Sequence, residues 1–501
     1  KDERLLDELR RELLEQADPQ FLKLIIAALS PKADVCAEEL WGILQSSDGV
    51  AANRFRAALA LASFEPASSR WSDADFEFVV RELLRQNPEQ QPALRELLRP
   101  LRKRLADAAE SAFANAELAD SERVAAANLV VDFLHDEPDR LARLSVLADS
   151  NQFKILFKPL EEERQATVEV LTEIARTAPE VDWTDDARIL RGRKRAHAAA
   201  GLLRLGLRDS LPSALRFSDD LEAPTQFARN FRGRGIGPSP IVESIGDCAA
   251  RRAKLTDGAR RVEDGVLYGL LLALGEFKLD DLTREQQSRM LQDLEHWYRD
   301  DPSAAVHGAA GWLLRRWGRE EDARRIDSRS VPFDANREWF TVAVRRPAGS
   351  AAGATSGEAG AADAAQSGRD DEASFHFTFV VIPAGTYAIG SPLGQAERED
   401  PETPHTFRLV RPIAVLDREV TRAEFLASGQ TFDGIDKFWN TIEHPILGAN
   451  WYEAVRFCRW LTTQTGIAET EQAYPDPASL DVERYPRESL LGGTSAPRDW
   501  P

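Results

Sequence analysis

Cysteine is scarce in this chain: only Cys36, Cys248 and Cys458 occur in 501 residues. They lie about 210 residues apart each time, so no CxxC or Cys/His zinc spacing can be drawn among them. They are expected to be reduced, buried thiols. Methionine is scarcer still, with Met290 alone and Lys1 in first place, an opening that reads as a fragment or a processed product. No stretch approaches the roughly 18 to 20 apolar residues of a membrane span, and KDERLLDELRREL at the start lacks the apolar centre of a signal peptide. Positive charge is in deficit, 64 Lys+Arg against 83 Asp+Glu, giving a net charge of -19 and a pI near 5.0. Such a surface repels the phosphate backbone that nucleic-acid binders neutralise. Neither nucleic acid nor membrane is expected as a partner, and the expected location is the cytoplasm.

What is present is enough for a folded protein. Hydrophobic residues make up 43% and charged residues 29%, the balance of an ordinary globular chain. The length allows about three domains. Composition breaks near residue 346, where PAGSAAGATSGEAGAADAAQSGRDDEAS offers almost no large apolar side chain. Residues 347–374 therefore read as a flexible Ala/Gly/Ser-rich linker between residues 1–346 and 375–501.

Before the break, apolar residues recur every three or four positions in segments punctuated by Pro and by Asp or Ser caps, which predicts helix after helix. One pattern returns: a basic residue, alanines, leucines, then a bulky residue or Gly. It appears as RFRAALALASF from Arg54, RVAAANLVVDF from Arg123, RAHAAAGLLRLG from Arg195 and HGAAGWLLRRWG from His307, with a weaker relative, GVLYGLLLALGEF, from Gly265. The first three begin 69 and 72 residues apart, room for two helical hairpins each. Helices with small residues on one side and leucines on the other stack closely, so an all-α, HEAT-like solenoid is expected over 1–346. An irregular helical domain rich in Ala is the alternative. Leu203 and Leu314 hold the same place in two copies and are expected inside.

After the break the period changes to two. FHFTFVVIPAGTYAIGS, Phe375 to Ser391, reads as a hairpin turning at Pro383-Ala-Gly385. Thr421 and Glu424 form a capping box that starts a short helix, and Asn450 and Glu453 start another, NWYEAVRFCRWLTTQTG, ended by Gly466. Ala454, Phe457, Cys458 and Leu461 are expected to make its buried stripe. This part is expected to be an α+β domain.

VIPAGTYAIGSP, the acid-rich run from Glu397 to His405, REVTRAEF from Arg418, the EHPI segment at Glu443 and NWYEAVRFCRWL follow one another as in the formylglycine-generating enzyme (sulfatase-modifying factor) family, which residues 375–465 resemble. The resemblance implies a C-type-lectin-like fold. The helical part, with LLRLG, LALGEF, WYRDDP and HGAAGWLLRRWG, resembles the repeats that precede this domain in planctomycete-type serine/threonine kinases, which implies a kinase upstream in the natural polypeptide. The family pattern continues into a GFRLPTEAEWE segment and a Gly/Asn-rich second half that residues up to Pro501 do not contain. The oxidases of the family bind copper with two cysteines near the C-terminal end, yet no cysteine follows Cys458. The HxxxHxE spacing of the iron-dependent relatives is missing, as are the VAIK, HRD and DFG elements of a kinase; Gly233, Gly235 and Gly237 make no GxGxxG loop.

No catalytic residue, cofactor or metal ligand is therefore assigned. His405 and His444 read as structural, and Cys458 reads as a buried small hydrophobe. Arg188, Arg191, Arg193, Lys194 and Arg195 read as a solvated charge run, and Trp297, Trp312 and Trp317 as core. The expected function is a non-catalytic interaction or regulatory scaffold for a protein partner, such as a kinase or another signalling or defence component. Two alternatives are a metal-dependent oxidase of the formylglycine-generating or iron sulfoxide-synthase type whose active residues lie past Pro501, and the regulatory region of a serine/threonine kinase.

Overall fold

The computed structural model describes residues 2–177, 185–217, 222–345, 374–390, 399, 402–403, 405–430 and 441–476. It is helix-rich, with a small antiparallel sheet region late in the chain. The chain divides into two compact units, residues 1–282 and 283–501. Among the described residues no helix is long and apolar enough to cross a membrane.

The first unit is built from helices that pack mainly on near neighbours in sequence. Ala33–Gln45 lies on Ala51–Phe64, Arg102–Ala114 on Asp120–Phe133, Arg164–Arg176 on Asp185–Arg204, and Pro238–Arg252 on Asp257–Leu274. The recurring alanine–leucine pattern always falls on the second helix of such a pair. That helix is covered nearly all round: Phe55 and every residue from Ala57 to Ala62 is buried, as are Ala125 to Ala127 and Ala198 to Ala200. Small side chains on one face let one neighbour approach closely while the leucines fill the other side. Leu203 and Leu314 are both buried, as the pattern predicted.

The basic residue that opens the pattern has a structural task. Arg54 Nε donates to the carbonyl of Leu44 at 2.8 Å, and Arg195 Nε to that of Ala175 at 3.2 Å. His307 Nδ1 meets the carbonyl of Tyr298 at 2.6 Å. Each carbonyl sits in the last turn of the preceding helix, where no intrahelical donor is left, and the two arginines add a cation that the helix dipole favours there. In the second copy the equivalent carbonyl, Phe113, is taken by Gln152 Nε2 at 3.1 Å, and Arg123 reaches Asp149 instead, leaving its buried Nε without a partner.

The second unit starts with helices, not strands. Arg284–Asp300, Ala304–Arg316 and Glu320–Asp327 precede strand β1, Trp339–Arg345. β1 pairs antiparallel with β2, Ser374–Ile382, and β2 with β5, Ile413–Leu416; β3, Gly385–Ile389, pairs with β4, His405–Leu409, in a separate sheet. Two expectations are corrected here. The end of residues 1–346 is not helical repeat, because WFTVAVR alternates with period two and completes the sheet. The two apolar runs flanking Pro383-Ala-Gly385 are strands but not a hairpin, since the turn carries the chain from one sheet to the other. The expected linker, 347–374, lies outside the described residues except for Ser374, which opens β2.

Parity decides what each face of β1 meets. Val344 and Phe377 pack with Phe425, Phe457 and Leu461 from helices Arg422–Ala427 and Trp451–Gln464. Both helices begin with the expected capping boxes, at Thr421/Glu424 and Asn450/Glu453, and Gly466 has the positive φ, 77°, that ends the second. Its stripe is corrected: Tyr452, Val455, Phe457 and Leu461 are buried, whereas Ala454 and Cys458 are exposed. Trp339 and Thr341 point the other way, toward the helices that open the unit.

Candidate functional site

On that other face Trp339, only 2% exposed, lies 3.7 Å from the His307 ring, nearly parallel to it, and His307 in turn stacks on Tyr298 at 4.6 Å. The Trp339 indole N–H donates to the Asp301 carbonyl at 2.7 Å, and the carboxylate of Glu338 accepts from Ala304 N at 3.0 Å, capping helix Ala304–Arg316. The start of the strand is thus pinned to the turn between two helices. Thr341 closes the edge: its N–H donates to the Val331 carbonyl at 2.8 Å and its hydroxyl to the Arg329 carbonyl at 3.0 Å.

Beside this stack is a cavity of about 220 Å³, lined among others by His307, Asp327, Arg329, Arg337, Trp339 and Thr341. The volume is below the ~300–1,000 Å³ of drug-sized pockets and suits a small ligand. Its two lining carboxylates are occupied. Asp327 accepts from Tyr298 Oη and from Arg315 at 2.6 Å, and Asp300 from Arg299 at 2.8 Å. Two lining cations are not occupied: neither Arg329 nor Arg337 has a carboxylate partner among the described residues. Arg337 lies over the Trp339 ring at 5.0 Å, and its buried Nε has no hydrogen-bond partner. An unmatched buried donor costs on the order of 1–3 kcal/mol, so it needs a reason.

Burial pushes the pKa of His307 down to about 4, outweighing the Tyr298 carbonyl that holds its proton, so the ring is neutral at pH 7. A carbonyl can only accept, which places the proton on Nδ1 and leaves Nε2 as an acceptor. Burial, then Asp327, raises the pKa of Tyr298, so it stays a phenol. These groups can bind and orient a ligand; none is an activated nucleophile.

The residues singled out from the sequence are scattered. His405 is exposed with Nδ1 at the Thr403 carbonyl, 2.9 Å, and His444 is exposed with Nδ1 at Thr441 Oγ1, 2.9 Å. Cys36 and Cys248 are buried as expected; Cys458 is exposed, on the solvent side of its helix. Trp297 is core, Trp317 half-buried, and Trp312 is corrected to 38% exposed with Arg316 over its ring. The charge run is corrected at Arg195, which is buried and bonded to the Ala175 and Ser213 carbonyls. In RGRGIG the buried Arg234 donates to the carbonyls of Ser145 and Ala148 at 2.7 and 2.8 Å, a core tie and not a phosphate loop.

Among the described residues no group of three or more His, Cys, Asp or Glu is placed to hold a metal ion. The copper pair that the family resemblance implies is not met by the donors present, because Cys458 is the only cysteine after residue 248. Sequence reasoning missed Arg329, Arg337 and Trp339; the period-two run from Trp339 was the available signal. The chain matches no protein-family model, no curated protein and no solved structure.

Proposed function

We propose that this chain is a non-catalytic protein-interaction or regulatory scaffold. The helical region is read as a HEAT-like solenoid that docks a protein partner, a kinase or another signalling or defence component, in the cytoplasm. The α+β part is read as a formylglycine-generating-enzyme-like domain of the C-type-lectin-like fold, used for recognition. The observation that supports this most is the packing of each hairpin in the first unit on its near neighbours, because stacked repeats build long partner surfaces without a catalytic cleft.

Helix Pro19–Leu29 supplies the handle for a test. Leu22, Ile25, Ile26 and Leu29 are buried, while Phe21 and Leu24, three residues apart on one face, are 56% and 66% exposed. Large apolar side chains held this far out are typical of interaction surfaces when several stand together. The full chain is used to capture proteins from a cytoplasmic extract of its source cells, beside a Phe21→Ser/Leu24→Ser variant whose circular dichroism matches the wild type. A stoichiometric protein partner held by the wild type supports the reading, and its loss in the variant places the contact on this helix. No partner in either arm sinks it.

A further inference from the structure

We propose that the cavity beside Trp339 binds a small carboxylate carrying a hydrogen-bond donor next to the carboxylate group. This goes beyond the scaffold reading and does not depend on it. Arg329 and Arg337 are the cavity's unoccupied cations, and a planar guanidinium with free N–H groups is matched by a carboxylate, which accepts two parallel hydrogen bonds. The buried Arg337 Nε is the donor that such a ligand satisfies. The neighbouring carboxylates do not compete, since Asp327 is engaged by Arg315 and Tyr298 and Asp300 by Arg299.

The second half of the ligand follows from His307. The residue lines the cavity, is 6% exposed, and has Nδ1 committed to the Tyr298 carbonyl. No partner for Nε2 exists among the described residues. A hydroxyl or amide N–H beside the ligand's carboxylate donates to that nitrogen, whereas a simple fatty carboxylate leaves it unmatched. Trp339 does not offer a free ring for stacking, because His307 and Arg337 both cover it. A small ligand of this kind is either a free hydroxy acid or the C-terminal end of a peptide, whose last amide N–H is the donor.

Isothermal titration of the full chain with lactate, N-acetylalanine, propionate and inorganic phosphate tests this. Lactate or N-acetylalanine is expected to bind, with propionate about tenfold weaker or worse for lack of the donor. Lactate ahead of N-acetylalanine identifies a free hydroxy acid, and the reverse order a peptide end; either supports the site. Arg337→Gln and the solvent-exposed Arg329→Gln are each expected to weaken the better probe about tenfold. Arg329→Gln removes no buried contact, so it remains informative if Arg337→Gln fails to fold. Absence of heat with every organic probe, equal binding of propionate, phosphate binding in place of carboxylates, or binding untouched by Arg329→Gln would each overturn the proposal.

Discussion

Arg345 and Ser374 face each other as the terminal Cα pair of the β1–β2 ladder, although residues 346–373 run between them in sequence. The low-complexity stretch therefore connects two adjacent strands of one sheet, and the two sides it joins are held together by a ladder that extends to Trp339 and Val380. Cutting there leaves both pieces in one fold. Trypsin cleavage at Arg346 or Arg369 is expected to give two fragments that elute together in native gel filtration and part only in denaturant. Separate elution without denaturant would contradict the pairing.

Replacing residues 346–373 with Asn-Gly should preserve the fold, because that pair suits a two-residue hairpin turn. Loop-closure entropy falls by about 0.6 kcal/mol per halving of loop length, so a gain of roughly 2 kcal/mol is expected in urea unfolding. A loss of the cooperative transition would show that the segment is needed for the fold.

Helix Ala304–Arg316 contains a paired test of close packing. A Cβ at Gly308 meets nothing within 4 Å, whereas one at Gly311 runs into the Tyr298 ring. Gly308→Ala should stabilise by about 0.5–1 kcal/mol through helix propensity. Gly311→Ala should destabilise by about 1–3 kcal/mol, since Tyr298 cannot move without disturbing its stack on His307. Equal effects of the two substitutions in thermal melts would mean that this hairpin is packed differently.

Two buried histidines set a pH dependence. Burial, helped by Arg234, lowers the pKa of His197 to about 3, and burial lowers that of His307 to about 4. Both are neutral when folded, while in the unfolded chain a histidine takes up its proton near pH ~6.5. The unfolded state then binds more protons between those values, so stability falls as pH drops below ~6.5. From pH 7 to 5 each residue should cost about 2 kcal/mol. Urea unfolding at several pH values checks this, and His307→Gln should flatten the profile of the second unit alone.

Leu203 and Leu314 are at most 2% exposed, and truncation of either to Ala should cost about 2–5 kcal/mol. Trp312, in the same helix as Leu314 but at the surface, should tolerate Ala with a loss under about 1 kcal/mol. A larger effect at Trp312 than at Leu314 would invert the assigned helix face.

Local chemistry was legible in the sequence. The helical period, the capping boxes at Thr421 and Asn450, the turn at Gly466 and the buried leucines of the recurring pattern depend on neighbours within a few residues, and their residue types state them directly. The opening Arg or His of the pattern was visible too, but its target was not, because Leu44, Ala175 and Tyr298 are reached only once two helices lie side by side. Tertiary structure alone decided that Trp339 belongs with His307, that Arg345 returns to Ser374, and that Cys458 and Trp312 face solvent. Each of these depends on which face of an element finds a neighbour, and an amphipathic period fixes the spacing of a face without saying what will cover it. The cavity has the same origin: Arg329 and Arg337 look like ordinary surface charges in sequence, and only the packing of β1 against a helical hairpin places them, without carboxylate partners, beside a neutral imidazole.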